Sequence, residues 1–213
     1  MARPTLTRAR VVEAAIELAD EAGVESLSMR SLGARLGVEA MSLYNHVAGK
    51  DDVLSGMTDL VWAQVDQAES AADWRSGLRA ICISVHEAFL RHPWSCRLHG
   101  VSVGVSRLRY IDRTLMHLRT GGFSPELAYH AHHLLDGFIL GYTLQVIDYS
   151  AGDQGANDAV QELIASVADE MPYFMEHLEQ HAAGVPGGPG FQIGLDQILD
   201  GLERQLKLRM KAG

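Results

Sequence analysis

Six residues between positions 40 and 46 have side chains suited to reading a DNA duplex: Ala40, Met41, Ser42, Tyr44, Asn45 and His46. A helix that enters the major groove needs small residues for close approach, and hydroxyl, amide and imidazole groups for base edges and phosphates. Lys50 follows at the expected start of the next helix, where a cation opposes the macrodipole by about 0.3 to 1 kcal/mol. A phosphate held there would explain the placement; a solvated surface lysine is the plain alternative. Asp51 and Asp52 suit that helix end electrostatically.

A second set of chemistry-bearing residues is the ten histidines. His130, His132 and His133 lie close together, His133 can share a helix face with Asp136, and His92 and His99 flank Pro93. No HExxH and no pairing of carboxylates with ExxH occurs, so a catalytic zinc or di-iron centre is not supported. No nucleophile, base and orienting group fall into a pattern either, and the sequence predicts neither an enzyme nor a cofactor. Trp94, His99, Met116, His133, Asp136, Phe138, Tyr142 and Gln145 are bulky or polar on otherwise apolar central helices, which makes them candidates for the wall of an effector cavity. Ordinary core packing is the alternative for each. Arg107, Arg109, Arg113 and Arg119 are expected to form a solvated helix face, or else to meet an anionic ligand.

The elements that must position these residues are all helical; no alternating run of useful length predicts a strand. Val12, Ala15, Ile16 and Ala19 mark a first helix capped by Thr7 and stopped near Gly23. Ser28 caps a short second helix holding Leu32 and Leu36, closed by Gly37. A third is expected from about Glu39 to Val47, with Leu43 turned inward. Gly49 separates it from a fourth with the stripe Val53, Leu54, Met57, Leu60, Val61 and Val65. Later helices carry Trp74, Leu78, Ile81, Cys82, Val85 and Phe89; then Leu108, Ile111, Leu115 and Leu118. Ser124 and Pro125 begin another that reaches about Tyr149 and is apolar nearly all round in its second half. Beyond the loop 151–156 come Val160, Leu163, Ile164 and Val167, with Pro172 kinking or interrupting the helix. The linker AGVPGGPG at 183–190 precedes a last helix bearing Phe191, Leu195, Ile198, Leu199, Leu202 and Leu206.

Charge is divided unevenly along the chain. Of the 18 Lys/Arg and 27 Asp/Glu, the first 50 residues carry six of each, so the formal net charge of -9 lies wholly beyond them. That permits DNA contact at one end and opposes nonspecific adhesion elsewhere. Cys82 and Cys96 have no CxxC or zinc-finger spacing, the apolar stretch 134–147 is too short to span a bilayer, and a soluble cytoplasmic protein is expected.

The run ARVVEAAIELADEAGVESLSMRSLGARLGVEAMSLYNHVAGKDDVL resembles the DNA-binding domain of the tetracycline-repressor (TetR) family, and LYNHVAGKDDVL is similar to that family's hallmark around its recognition helix. More weakly, FLRHPWSCRLHG and FQIGLDQILDGLERQL look like the tetracycline-repressor type of C-terminal domain. The resemblance implies that Met29 and Arg30, beside the capping Ser28, approach DNA from the second helix. It further implies that Ser42, Tyr44, Asn45 and His46 contact DNA from the third, with Ala40 and Met41 on the same face, and that Lys50 grips a phosphate. Ala40 and Met41 depart from the glutamine and proline of the tetracycline repressors, so no operator sequence carries over. His99 is placed by the resemblance near a metal-coordinating histidine; its surroundings differ, and it stays a candidate ligand in a chain where no other metal site is expected.

The combined expectation is an all-α chain: a three-helix helix-turn-helix domain at 1–50, a connecting helix at 51–70, and a larger helical bundle at 71–213. The bundle would bind a small-molecule effector and dimerise through its last two long helices. The function expected is that of a ligand-responsive repressor, released from a palindromic double-stranded operator by an inducer and having no membrane partner.

Overall fold

The computed structural model describes residues 5–98, 103–152, 158–183 and 189–212, and every regular element among them is helical. The chain divides into two compact units, Met1–His132 and His133–Gly213.

In the first unit α1 (Arg8–Ala22) begins where the Thr7 side chain accepts from the Arg10 amide, and ends at Gly23. A 3-10 turn (Val24–Ser26) leads to α2 (Met29–Leu36), α3 (Ala40–Leu43) and α4 (Lys50–Ala63). Their common core is Val11, Val12, Ala15 and Ala19 of α1 with Leu27, Leu32, Leu43, Val47, Val53 and Met57, all buried. Gly56 of α4 is needed for this packing, since a Cβ there would stand 2.8 Å from a Val12 methyl.

The first unit continues through α5 (Trp74–Arg91), the single turn α6 (Trp94–Arg97), α7 (Val105–Thr120) and the first part of α8 (Pro125–Gly152). Asp73 caps α5 by accepting from the Ser76 amide at 2.8 Å, and the Ser76 hydroxyl pairs back to the Asp73 amide. Trp62 of α4, Phe89 of α5 and Tyr110 of α7 meet as an aromatic cluster, with ring centroids 5.4 Å and 4.8 Å from Trp62.

The buried face of α7 differs from the expected aliphatic stripe. Leu118 is fully buried, but the residues that go in with it are Ser106, Tyr110, Thr114 and His117, while Leu108 is 53% exposed. Burying Tyr110 gains more apolar area than burying Leu108, and it turns the helix about its axis. The arginines of this helix are also more than a solvated face. Arg119 donates to the Phe123 carbonyl, Arg113 pairs with Glu69 at 3.2 Å, and the Arg107 guanidinium lies over the Trp62 ring.

In the second unit the rest of α8 carries Leu135, Ile139 and Thr143 inward, and the Thr143 hydroxyl returns to the Ile139 carbonyl at 2.6 Å. On α11 (Gly190–Ala212), Phe191, Leu195, Leu199 and Leu202 are buried. Phe138 stacks on Phe191 with centroids 5.2 Å apart, and Gly194 leaves room for the Phe138 ring. Gly137 and Gly141 are both exposed, and a Cβ at either would meet no atom of the described residues within 4 Å. The break at Pro172 is complete, dividing α9 (Asp158–Val167) from α10 (Pro172–Ala182). Several of their apolar residues are exposed, Leu163 at 63% and Tyr173 at 81%, while Ile164, Val167, Met175 and Leu178 are half-buried.

Cys82 and Cys96 are both buried, and burial pushes the Cys96 thiol up to about 12. Burial also depresses two imidazoles, His86 to about 4 and His117 below the ordinary histidine value. As pH falls, the unfolded chain protonates these two before the folded protein does. Their contribution to stability is therefore whole above the ordinary value near 6.5 and is lost as pH falls from there toward about 4. Urea midpoints at fixed protein concentration should decline across this window, and His86→Gln should flatten the decline; an unchanged slope in that variant would refute the assignment.

Candidate nucleic-acid interface

Two hydroxyls and two glycines set the angle at which α3 is presented. The Ser28 hydroxyl accepts from the Ser31 amide at 3.0 Å and the Ser31 hydroxyl accepts from the Ser28 amide at 2.9 Å, closing a capping box at the start of α2. At its other end Gly37 is left-handed (φ 68°, ψ 35°), a conformation costly for any residue with a Cβ, and the Val38 amide returns to the Gly33 carbonyl at 2.9 Å. Gly33 lies under the turn: a Cβ there would stand 2.9 Å from the Val38 carbonyl oxygen and 3.1 Å from the Ala40 nitrogen. Helix α3 sits directly on the backbone of α2.

The helical segment expected from Glu39 to Val47 is shorter in fact. Regular α-helix ends at Leu43, and residues 44–46 wind on as a tighter turn in which the Asn45 and His46 amides bond three residues back, to Ser42 and Leu43. Both Leu43 and Val47 must be buried, and the tightened turn brings Val47 under while its amide still reaches the Leu43 carbonyl at 3.0 Å. The opposite side is left outward: Met41 is 75% and Tyr44 48% exposed, Asn45 is exposed, and Ala40, Ser42 and His46 are half-buried. Arg30 is exposed on α2 and Met29 half-buried beside it.

Lys50 is exposed in the first turn of α4, beside Asp51 and Asp52. Asp52 does more than favour the helix dipole. One of its oxygens pairs with Arg8 at 2.7 Å and the other accepts from the Ala48 amide at 3.0 Å, so it ties α1 to the turn between α3 and α4. These two partners, Arg8 first, hold its carboxyl below the usual carboxylate range. Arg35 is taken up by Glu21 at 2.5 Å and Glu17 at 3.2 Å, which lowers the Glu21 carboxyl. Arg30 and Lys50 are exposed cations on the two helices that flank the short α3. An outward tip of hydroxyl, amide, imidazole and thioether groups between such cations is the arrangement of a helix-turn-helix reader.

Comparison with known proteins agrees. Residues 11–57 match the model for bacterial regulatory proteins of the tetR family, and residues 68–206 match the tetracyclin repressor-like C-terminal domain. The chain belongs to the TetR family. Its function is the family's, ligand-responsive repression of transcription through DNA binding. It is similar to the HTH-type transcriptional repressor DrrR1 of Streptomyces coeruleorubidus, with 34% identity over 94% of this chain and 78% of that one. Apo ActR of Streptomyces coelicolor has a similar structure, with a TM-score of 0.76 and 27% identity over 98% of this chain and 99% of that one. ActR in complex with actinorhodin matches at 0.72, again with 27% identity, over 95% and 99%.

The residues expected to meet an effector are distributed over this TetR chain as follows. In the first unit Trp94 is buried and its indole donates to Asp20 of α1 at 2.6 Å, while Met116 is partly exposed, its sulfur 3.6 Å from an Arg113 nitrogen. In the second unit Phe138 and Tyr142 are half-buried against Phe191, Asp136 is half-buried, and His133 and Gln145 are exposed. His99 lies outside the described residues. Among the described residues no group of three histidine, cysteine or acidic side chains is placed to hold a metal ion.

Sequence reasoning overlooked a polar junction in the first unit. Asp20 receives Trp94 and also faces His92 Nδ1 at 3.0 Å, while His92 Nε2 lies 3.3 Å from the Gln64 amide nitrogen at the end of α4. An aspartate on the outer side of an amphipathic helix gave no signal of this. Gly33 was equally overlooked, although the small-residue run SLGARLG contained it. Gly33→Ala should push α3 off α2 and lower affinity for a DNA fragment at least about tenfold, while the thermal transition of the α5 to α8 region persists. Undiminished retardation of the fragment by that variant would show that the close seat is not needed.

Proposed function

We propose that the protein acts as a homodimer at a palindromic operator in the cytoplasm, and that a small-molecule effector, bound within residues 71–213, releases it. The observation that carries this reading is the outward tip of α3, Met41, Tyr44 and Asn45, seated over a fully buried Leu43 and flanked by Arg30 and Lys50. In the dimer the two tips would stand about one DNA turn apart, roughly 34 to 36 Å, matching two half-sites. Residues 1–50 would read the DNA, Lys50 would hold a phosphate, and Ser28, Met29, Ala40, Ser42 and His46 would complete the contact.

The uncovered glycines of α8, with the exposed Ile193 and Leu208 of α11, support a dimer face on those two helices. The complex of the similar ActR with actinorhodin supports an effector for this fold. Met116, His133, Asp136, Phe138, Tyr142 and Gln145, with Trp94 and His99, are the residues proposed to serve it. Binding alone does the work: the effector shifts the population toward a spacing of the tips that no longer fits the groove. No catalytic step and no resident cofactor enter this scheme.

Gel retardation with fragments upstream of the protein's own gene and its neighbours tests the reading, with sedimentation reporting the dimer. Tyr44→Ala should weaken binding, and Lys50→Ala should weaken it evenly across sequences and reduce the slope of log affinity against log salt by about one. Failure of the wild type to retard any such fragment, or a monomer at micromolar concentration, would overturn it.

A further inference from the structure

Asp59 sits on the side of α4 that faces α7, and its carboxylate leaves its own helix to cap another. The Ser106 amide, in the first turn of α7, donates to Asp59 Oδ1 at 2.8 Å. The first N–H groups of a helix have no partners within it, and its positive end favours a carboxylate. Helix α7 has no cap of its own, because the residue before it is Gly104. Gly104 also makes space, since a Cβ at that position would overlap the Asp59 carboxylate. Its backbone (φ -84°, ψ 169°) suits any residue, so the glycine serves the approach of Asp59 and not a turn.

One helical turn further along both helices, Trp62 packs on Tyr110 at 4.8 Å and Arg107 covers the indole at 5.8 Å. The α4–α7 junction is therefore held at two points. The aromatic pair sets the distance between the helices, and the carboxylate sets their position along the axis, because a hydrogen bond to one amide tolerates little sliding. At the far end of α4, Lys50 and Asp52 adjoin the reading tip. Further along α7 lie the buried Thr114 and His117, whose Oγ1 and Nε2 no group among the described residues satisfies.

We propose that Asp59 is a positioning residue for operator release: its bond to the start of α7 makes α4 and α7 move as one body, so that displacement of α7 is delivered to Lys50 and α3. By reciprocity, DNA held at the tip must be felt at the start of α7. The inference rests on the ligand-responsive reading above and assigns the residue that transmits it.

Amide hydrogen exchange of the full-length protein, with and without the retarded promoter fragment, tests this without any effector. The fragment should slow exchange in peptides covering 103–110 of the wild type. Asp59→Ala and Gly104→Ala should each abolish that slowing and weaken fragment binding about five- to tenfold, and the double variant should weaken it no further, since both changes break the same bond. Asp59→Asn, which still presents an acceptor to Ser106, should restore most of the response. Gly104→Ala leaves every core side chain in place, so it decides the matter if Asp59→Ala does not fold. Exchange at 103–110 that ignores bound DNA in the wild type, or additive losses in the double variant, overturns the proposal while leaving DNA binding intact. Failure of the wild type to retard any fragment removes the regulatory reading itself, and this inference with it.

Discussion

Helix α4 has to be buried on two sides at once, and the first unit is organised around that demand. Toward α1 it presents Gly56, whose missing Cβ lets Val12 approach, and the Arg8–Asp52 pair closes the edge. Toward α5 and α7 it presents Trp62, with Phe89 and Tyr110 against the indole. Met57 is sealed completely. A helix with only one apolar stripe could be peeled from its neighbours at little cost, whereas this one cannot move without disturbing both sets of contacts. The reading tip has no firmer foundation than the start of this helix.

The same arrangement explains which parts were legible in the sequence. Thr7, Ser28, Gly37 and Gly49 act locally, through caps and turns, and each stands where its type predicts. The outward residues of α3 were legible for the converse reason: Leu43 and Val47 claim the inner side, and what remains must face out. Helix α7 was misread because an aliphatic stripe is evidence of burial only when no larger ring competes, and Tyr110 outweighs Leu108 once Trp62 is beside it. The long-range partners of Asp20, Asp52 and Asp59 were beyond local reading. Asp52 suited its helix end in sequence, but its pairing with Arg8, like those of Asp20 with Trp94 and Asp59 with Ser106, spans 44 to 74 positions.

These three aspartates also account for some of the acidic excess that at first sits oddly with DNA binding. Their charges are directed inward, onto an indole, backbone amides and a guanidinium, and so add little negative potential at the tip. The glutamates Glu17 and Glu21 of α1 are likewise paired with Arg35. Arg30 and Lys50 stay exposed on the helices flanking α3, open to a phosphate backbone.

The close seating of α3 on Gly33 separates two burdens that proteins often load onto the same residues. Since Met41, Tyr44 and Asn45 are exposed, they can be exchanged with small effect on stability. A lineage built on this scaffold is free to drift from one target site to another by single replacements at the surface, with the scaffold beneath them unaltered.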